Sequence, residues 1–219
     1  MLDELYWAEI YNSTTSNSTW LTENNFSPGR WAVGYPFLYA MYRILNEKRP
    51  VEVLELGLGQ TTKMIGQYAK SNPTIQHTII EEDKEWISFF NNIFSLPENS
   101  NIIQHDYEYI KFKNGKNVRI FSNFQEHIQN KKFDFIMVDA PIGSEVFSRI
   151  DILKILPQCL SDSFVIMIDD YERDGEQNTV RELCCILEEH QISYATGVYH
   201  GEKDVIVIAS LDNKFFCSM

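Results

Sequence analysis

From residue 51 onward, the chain alternates short apolar runs of strand type with segments of helical spacing. The apolar runs lie at 51–56, 76–81, 101–105, 133–139 and 163–169. Helical segments follow at 61–70, 85–94 and 178–190. Buried strands that alternate with helices predict an α/β fold, with a parallel sheet covered by helices on both faces.

Two further segments modify this plain alternation. The runs 192–198 and 204–210 are separated by the turn-like sequence YHGEK, so we expect a closing hairpin and an antiparallel last strand. Residues 107–121 break the alternation and are typical of an inserted β-hairpin with Asn114-Gly115 in its turn. Together the segments predict a Rossmann-like, seven-stranded mixed sheet with one inserted hairpin.

The 219 residues are enough for one domain with a small appendage. We expect an N-terminal arm and helix on the substrate side at 1–48, the main domain at 49–212 and a C-terminal tail at 213–219. Residues 1–30 are rich in Asn, Ser and Thr, which is typical of a partly ordered arm, a lid or a plain linker.

The charge balance excludes some classes of partner. There are 19 basic and 31 acidic residues, a net charge of -12, and no basic stripe, which disfavours nucleic acid. No apolar run approaches the roughly 18 residues of a membrane span, and the N-terminus carries no signal-like segment. We therefore expect a cytoplasmic location and no membrane partner, and a homodimer is one option for the assembly.

A glycine-containing turn directly follows the first strand, in the sequence Glu55-Leu56-Gly57-Leu58-Gly59-Gln60-Thr61. Glycines let the backbone turn sharply and approach a ligand, and Thr61 or Thr62 can cap the next helix. A dinucleotide fingerprint needs a third glycine where this chain has Thr62, so NAD is disfavoured. A tight turn without any ligand fits the spacing equally well.

The second strand ends in three acids. Glu81 follows the apolar run directly, and a carboxylate there can accept hydrogen bonds from both ribose hydroxyls of an adenosine ligand. Glu82 and Asp83 are better explained as caps of the helix that begins near Lys84.

The segments LELGLGQTT, HTIIEED, VDA and IDD resemble those of class I S-adenosylmethionine (SAM) dependent methyltransferases, over residues 50 to 210. The resemblance implies that Gly57 and Gly59 pack near the methionine part of SAM and that Glu81 holds the ribose. Residues after the third strand, here His105, Asp106 and Tyr107, would border the adenine. The cofactor residues predicted on this basis are Glu55, Gly57, Gly59, Gln60, Thr61, Glu81, Asp106 and Asp139.

Three carboxylates follow two other strands: Asp139 the fourth, and Asp169 and Asp170 the fifth. If these strands neighbour the first, as the resemblance implies, the acids converge beside the methyl group. A hard divalent cation, Mg²⁺ or Mn²⁺, would relieve their repulsion and lower the pKa of a bound substrate hydroxyl. Alternatively, Asp139 is a buried helix cap and Asp170 a surface residue.

Two further resemblances concern the acceptor. FVIMIDDYERDGEQNTVREL is similar to the I-D-D-Y segment of Mg²⁺-dependent, macrocin-type sugar O-methyltransferases, which implies that Asp139, Asp169 and Asp170 are metal ligands. The 169–170 pair also resembles the Asp-Asn pair of catechol-type O-methyltransferases. FDFIMVDAPIGSEVFSRIDIL resembles a D-G-P-x-G segment of methyltransferase-like proteins of polysaccharide biosynthesis, with Ala140 in place of the glycine.

Two residues are candidate substrate contacts. Arg149 could bind a sugar carboxylate or phosphate, or form a structural ion pair with Asp151. Tyr171, beside the acidic pair, could line the substrate site or pack in the core.

The sequence thus predicts a SAM-dependent methyltransferase that methylates a hydroxyl of a sugar or glycan precursor with the help of a divalent metal. Asp139 would be both a metal ligand and the general base. The alternatives are metal-free methylation of another small metabolite and a non-catalytic SAM-binding partner subunit.

Overall fold

The computed structural model describes residues 2–218 and contains five α-helices and nine strands within them. The helices are α1 (Leu2–Thr15), α2 (Tyr35–Arg43), α3 (Gln60–Ser71), α4 (Lys84–Ile93) and α5 (Asp174–Glu189). The strands are β1 (Glu52–Leu56), β2 (Gln76–Glu81), β3 (Ser100–Gln104), β4 (Tyr107–Phe112), β5 (Gly115–Phe121), β6 (Phe133–Val138), β7 (Leu160–Ile168), β8 (Tyr194–Tyr199) and β9 (Val205–Ser210).

Seven of the strands form one mixed sheet in the order β3-β2-β1-β6-β7-β9-β8. Strands β3, β2, β1, β6 and β7 are parallel, and β9 is antiparallel to β7, as predicted for the last strand. The strand order reverses between β1 and β6, and a ligand site is expected where the carboxyl ends of these two strands diverge.

The sheet is buried on both faces because its strands carry apolar side chains at successive positions. On one face, Val53 and Phe135 pack with residues of α1, α2 and α3. On the other face, Leu54 and Ile136 pack with residues of α5 and with Phe121 at the end of the hairpin. This two-faced burial explains why the strands contain near-continuous apolar runs rather than an apolar–polar alternation.

The prediction of a partly ordered arm or linker at residues 1–30 is wrong for its first half, because residues 2–15 form α1. The helix is stabilised by tertiary contacts that the composition of residues 1–30 did not reveal. Tyr11 is buried in the core, and Trp7 packs against Tyr39 and Tyr199. Such packing overrides weak helix propensity.

The bounds of several other elements differ by a few residues from those that the sequence predicts. The helix expected within residues 1–48 is α2, which begins at Tyr35 with Pro36 in its first turn and continues into a π-helical turn at Ile44–Lys48. The inserted hairpin is confirmed as β4–β5, although its turn residues are Lys113 and Asn114 and Gly115 already belongs to β5. The expected tail is part of a 3₁₀ segment, Leu211–Cys217, that packs on β8 and β9.

Among residues 2–218, no helix is both long enough and apolar enough to cross a membrane.

Candidate active site

A cavity of about 680 Å³ opens at the carboxyl ends of β1, β2 and β6, where the strand order reverses. Its floor is the turn after β1, and its walls come from the ends of β2 and β6 and from the hairpin. The segment 29–33 covers one side. The lining residues are Gly29, Arg30, Trp31, Ala32, Val33, Gly57, Leu58, Gly59, Gln60, Thr61, Glu81, Glu82, Asp83, Trp86, Tyr107, Arg119, Asp139, Ala140 and Ile142.

The two predicted glycines both line the cavity, for different reasons. Gly57 has a φ of +108°, and a Cβ there would lie 2.9 Å from the Cβ of Ala140, so its turn requires glycine. Gly59 has an extended φ of −166°, and a Cβ there would meet no atom within 4 Å. The glycine at 59 therefore keeps space open for a ligand rather than relieving backbone strain.

Gln60 and Thr61, which the sequence predicts to bind the cofactor, line the cavity, whereas Glu55 lies behind it. The Oε1 atom of Gln60 is buried and has no hydrogen-bond partner within residues 2–218, so it is free to accept from a ligand. Glu55 is fully buried and accepts hydrogen bonds from Thr61 Oγ1 at 2.5 Å and from His77 Nε2 at 2.9 Å. The prediction that Glu55 binds the cofactor is corrected: it positions Thr61.

Glu81, which the sequence predicts to hold the ribose, lies at the end of β2 and lines the cavity. Its Oε2 accepts from the Leu58 N–H at 2.8 Å, and its Oε1 accepts from the N–H groups of Glu82 and Asp83. The carboxylate is thereby fixed against the glycine turn. Asp83 caps α4 as predicted, whereas Glu82 makes no cap.

Of the three residues after β3 that the resemblance implied at the adenine, Tyr107 lines the cavity, whereas His105 and Asp106 do not. Asp106 does not line the cavity; it is exposed and accepts a hydrogen bond from Gln104. The next residue, Tyr107, lines the cavity, as does Arg119 on the paired strand of the hairpin. The cavity lining therefore gives no support to the predicted cofactor contact of Asp106.

The three predicted acids do converge. Asp139, Asp169 and Asp170 each offer a carboxylate oxygen, and these oxygens lie within 4.8 Å of one another. Asp139 lines the cavity with its side chain one-quarter exposed, while Asp169 and Asp170 are buried behind it. Both oxygens of Asp169 and the Oδ1 of Asp170 accept no hydrogen bond within the described residues.

Arg149 lies inside this acidic cluster and is only 1% exposed, so the prediction of a direct substrate contact is wrong. Its Nη2 is 3.0 Å from Asp139 Oδ1 and also contacts Asp170 Oδ2. Its Nη1 donates to the Asp169 carbonyl at 2.5 Å. Nor does it pair with Asp151, whose Oδ1 accepts from the Phe121 N–H instead.

A second cation, Lys203, reaches the cluster from the β8–β9 turn. Its Nζ lies 3.5 Å from Asp169 Oδ2 and 3.4 Å from Asp170 Oδ1. Even with these cations, burial raises the pKa of the Asp169 carboxyl to about 6. Burial and the neighbouring Asp169 raise the pKa of Asp139 well above its ordinary range. A group with a raised pKa on a cavity wall suits proton transfer.

Tyr171 does not line the cavity; it packs against the apolar cluster on the α5 side of the sheet. Its N–H donates to the Asp204 carbonyl, which ties it to the start of β9. The cavity lining therefore gives no support to the predicted substrate contact of Tyr171, whose side chain packs in this cluster.

Sequence reasoning missed three residues of this region: Trp86, Arg119 and Lys203. Trp86 and Arg119 lie on a helix and a hairpin that carry no recognisable motif, so only the folded arrangement brings them to the cavity. Lys203 belongs to the YHGEK turn, which the sequence identified as a turn without indicating where it points.

The sequence matches no protein-family model, and no curated protein is significantly similar to it. Solved structures are similar in fold. The O-methyltransferase TomG from Streptomyces achromogenes, in complex with SAM, gives a TM-score of 0.60 at 14% identity, covering 96% of this chain and 99% of that one. A putative caffeoyl-CoA O-methyltransferase from Staphylococcus aureus gives 0.58 at 14% identity, covering 96% and 100%.

A third similar structure is the SAH-bound methyltransferase PaMTH1 from Podospora anserina, with a TM-score of 0.56 at 13% identity over 93% of this chain and 87% of that one. At these identities the likeness concerns the fold alone. The chain therefore has the Rossmann-like α/β fold of class I methyltransferases, as its sequence predicted.

Proposed function

We propose that this protein is a SAM-dependent methyltransferase that methylates a hydroxyl group of a sugar or glycan precursor. The observation that carries the proposal is the joint placement of the glycine turn, Glu81 and Asp139 around one cavity at the switch point of the sheet. SAM is a nucleoside with an amino-acid tail, and this cavity offers a partner for each part.

The residues present fit the cofactor. Glu81 is positioned for the ribose hydroxyls, and the unpartnered Gln60 Oε1 can accept from the amino group of the methionine part. The open space at Gly59 admits the ligand backbone close to the turn. SAM supplies the methyl group when it is bound.

Asp139 would act on the acceptor. It is the partly exposed carboxylate on the cavity wall beside the glycine turn, where the methyl group would lie. A hydroxyl is a poor nucleophile until its proton is drawn away, and a carboxylate of raised pKa can take that proton. Trp31, 83% exposed at the cavity, offers an aromatic face of the kind that stacks on sugar rings.

The proposal includes a divalent cation held by Asp139, Asp169 and Asp170. Hard cations prefer carboxylate oxygens. Three buried oxygens of Asp169 and Asp170 accept no hydrogen bond in the described chain, and two of them are in ion-pair contact with Lys203. When bound, Mg²⁺ or Mn²⁺ would lower the pKa of a substrate hydroxyl.

One observation favours a second candidate, metal-free methylation. Arg149 and Lys203 already bring two positive charges to the oxygens that a metal would use. In that case Arg149 and Lys203 stabilise the charge of Asp139. Without a metal to hold two adjacent hydroxyls, the acceptor need not be a vicinal diol.

The test uses methyl transfer from radiolabelled SAM to a panel of sugars, glycosides and sugar nucleotides. We expect transfer to at least one member, loss of transfer in Asp139→Asn with S-adenosylhomocysteine (SAH) binding retained, and normal transfer in the surface control Asp162→Asn. Loss of transfer with EDTA and its recovery with Mg²⁺ supports the metal-assisted form, while EDTA-resistant transfer supports the second candidate. Full activity of Asp139→Asn would contradict the role of Asp139.

A further inference from the structure

Two cations contact the acidic cluster of Asp139, Asp169 and Asp170, and the fold holds them in different ways. Arg149 is enclosed: its side chain is 1% exposed, and its Nη2 contacts both Asp139 and Asp170. Its Nη1 donates to the backbone carbonyl of Asp169 at 2.5 Å. Arg149 can leave these contacts only if the loop around it unfolds, so it is a permanent part of the cluster.

Lys203 is held far more loosely. Its Nζ lies 3.5 Å from Asp169 Oδ2 and 3.4 Å from Asp170 Oδ1, beyond the usual length of a charge-assisted hydrogen bond. The ammonium group donates no hydrogen bond within residues 2–218, and the side chain is 13% exposed. An ammonium on a flexible four-carbon stem can turn out to water by side-chain rotation alone.

The backbone that carries Lys203 is fixed against the acids. The N–H of the next residue, Asp204, donates to Glu172 Oε2 at 2.8 Å, and the Asp204 carbonyl accepts from the Tyr171 N–H at 2.9 Å. Tyr171 and Glu172 directly follow Asp170 in the chain. The lysine is therefore delivered to the cluster by a fixed turn, and only its side chain is free to move.

The carboxylates that Lys203 contacts are the ones that a divalent cation would use. One oxygen from each of Asp139, Asp169 and Asp170 lies within 4.8 Å of the others. Asp169 Oδ1 accepts no hydrogen bond and forms no ion pair within the described residues. A cation among these oxygens would lie close to the ammonium, and the two positive charges would repel each other strongly in this buried setting.

We propose that Lys203 is an exchangeable counter-ion of the acidic cluster, which a divalent cation must displace in order to bind. Lys203 supplies counter-charge to Asp169 and Asp170 in the metal-free protein and turns out toward solvent when Mg²⁺ or Mn²⁺ binds. Arg149 stays in place throughout, so the buried carboxylates always keep a positive partner. This inference rests on the proposed function, because it takes the three aspartates as the cation site.

The experiment measures Mn²⁺ binding to the full-length protein by isothermal titration calorimetry at one fixed pH near neutrality. Lys203→Met keeps the length of the side chain but removes its charge, and we expect Mn²⁺ to bind about tenfold more tightly. Lys203→Arg retains the charge and should bind Mn²⁺ no more tightly than the wild type. Asp169→Asn should lose the binding signal, which locates it at the cluster.

The matched control is Lys214→Met, which changes the net charge by the same amount at an exposed lysine outside the cluster. Its affinity for Mn²⁺ should stay within about twofold of the wild type, because distant exposed charges are screened by salt.

A second measurement needs no variant and so decides the question even if Lys203→Met fails to fold. Lysines of the wild-type protein are labelled with acetic anhydride and read by mass spectrometry, with and without Mn²⁺. Displacement of Lys203 should raise its labelling rate by about twofold or more, because the metal shifts the side chain toward its exposed position. Labelling of Lys214 should not change.

Equal Mn²⁺ affinity in the wild type and Lys203→Met would overturn the inference, as would an absence of Mn²⁺ binding from both proteins. Labelling of Lys203 that does not respond to Mn²⁺ would also contradict it. Wild-type protein that failed to bind SAH would instead overturn the proposed function. The metal titration needs neither cofactor nor acceptor, so the two failures are distinguishable.

Discussion

Arg149 shows how much a single residue determines in this site. It is fully buried among Asp139, Asp170 and Glu176 and also bonds the backbone carbonyl of Asp169. A buried carboxylate without a counter-charge is strongly unfavourable, so the arginine makes the acidic cluster compatible with a folded chain. It therefore connects the stability of the protein with the state of the proposed general base.

Replacing Arg149 by Met should lower the free energy of unfolding by about 3–5 kcal/mol, because it leaves buried carboxylates unpaired. Urea denaturation at neutral pH measures this change. Arg181→Met, an exposed arginine on α5, is the matched control and should cost less than about 0.5 kcal/mol. A cost below about 1 kcal/mol for Arg149→Met would show that the buried ion pairs contribute little.

Asp151 gives a prediction for pH dependence. Burial raises the pKa of its carboxyl to about 7, whereas in the unfolded chain it ionises near pH ~3.9. The folded chain therefore retains this proton over that interval. The stability contributed by the protonated carboxyl is full below about pH 4 and is lost as the pH rises through about 7.

Asparagine cannot ionise but can still accept from the Phe121 N–H. Asp151→Asn should thus become more stable relative to the wild type as the pH rises from 4.5 to 7.5, by on the order of 1.4 kcal/mol per unit of pKa difference. Chemical denaturation of both proteins across this range measures the difference, in which effects of other groups largely cancel. Parallel stability profiles would contradict the assignment.

At the scale of elements, the turn between β1 and α3 contains two glycines with different structural roles. Gly57 needs its left-handed backbone, and Gly59 leaves space in the cavity. The sequence identified both glycines but could not distinguish their roles. The spacing of glycines gives neither the φ angle of a residue nor the atoms that a Cβ at its position would contact.

This separation predicts opposite results for two alanine variants. Gly57→Ala should destabilise the fold by about 1–3 kcal/mol, through its positive φ and the close Cβ of Ala140. Gly59→Ala should leave stability within about 0.5 kcal/mol of the wild type yet weaken SAH binding by about tenfold or more. Denaturation and calorimetry on both variants provide the check, and normal SAH binding in Gly59→Ala would show that the ligand does not use this space.

The elements themselves were largely predictable where burial on both faces makes a strand apolar throughout. All seven strands of the main sheet and the inserted hairpin were located to within a few residues. α1 was missed because its stability comes from contacts with residues far away in the chain.

The acids of the site were found because they directly follow strands. Arg149 and Lys203 reach these acids from loops, and no local sequence pattern predicts the path of those loops.

At the scale of the whole molecule, the N-terminal helix and the C-terminal hairpin are joined directly. Glu4 on α1 accepts from the Tyr35 N–H at 2.6 Å and from the Glu202 N–H at 3.0 Å, and Trp7 donates to the His200 carbonyl. These bonds hold the turn that carries Lys203 into the acidic cluster. The first residues of the chain thus support the site from the outside.

Glu4→Gln should lower the free energy of unfolding by about 1–2 kcal/mol, since it weakens two charge-assisted hydrogen bonds. Unfolding should remain a single transition, because α1 packs into the same core as the sheet. Glu9→Gln, an exposed acid on the same helix, is the control and should change little. Separate melting of α1 in the wild type would contradict this account of one cooperative unit.

The central claim, that the cavity binds SAM, is tested most directly by calorimetric titration of SAH into EDTA-treated wild-type protein. We predict one site per chain with micromolar affinity, lost in a variant that removes the ribose-binding carboxylate, Glu81→Ala. Saturable binding of this kind would establish the cofactor before any acceptor is known. An absence of binding by folded protein, with and without added Mg²⁺, would contradict the account of this cavity as a methyltransferase site.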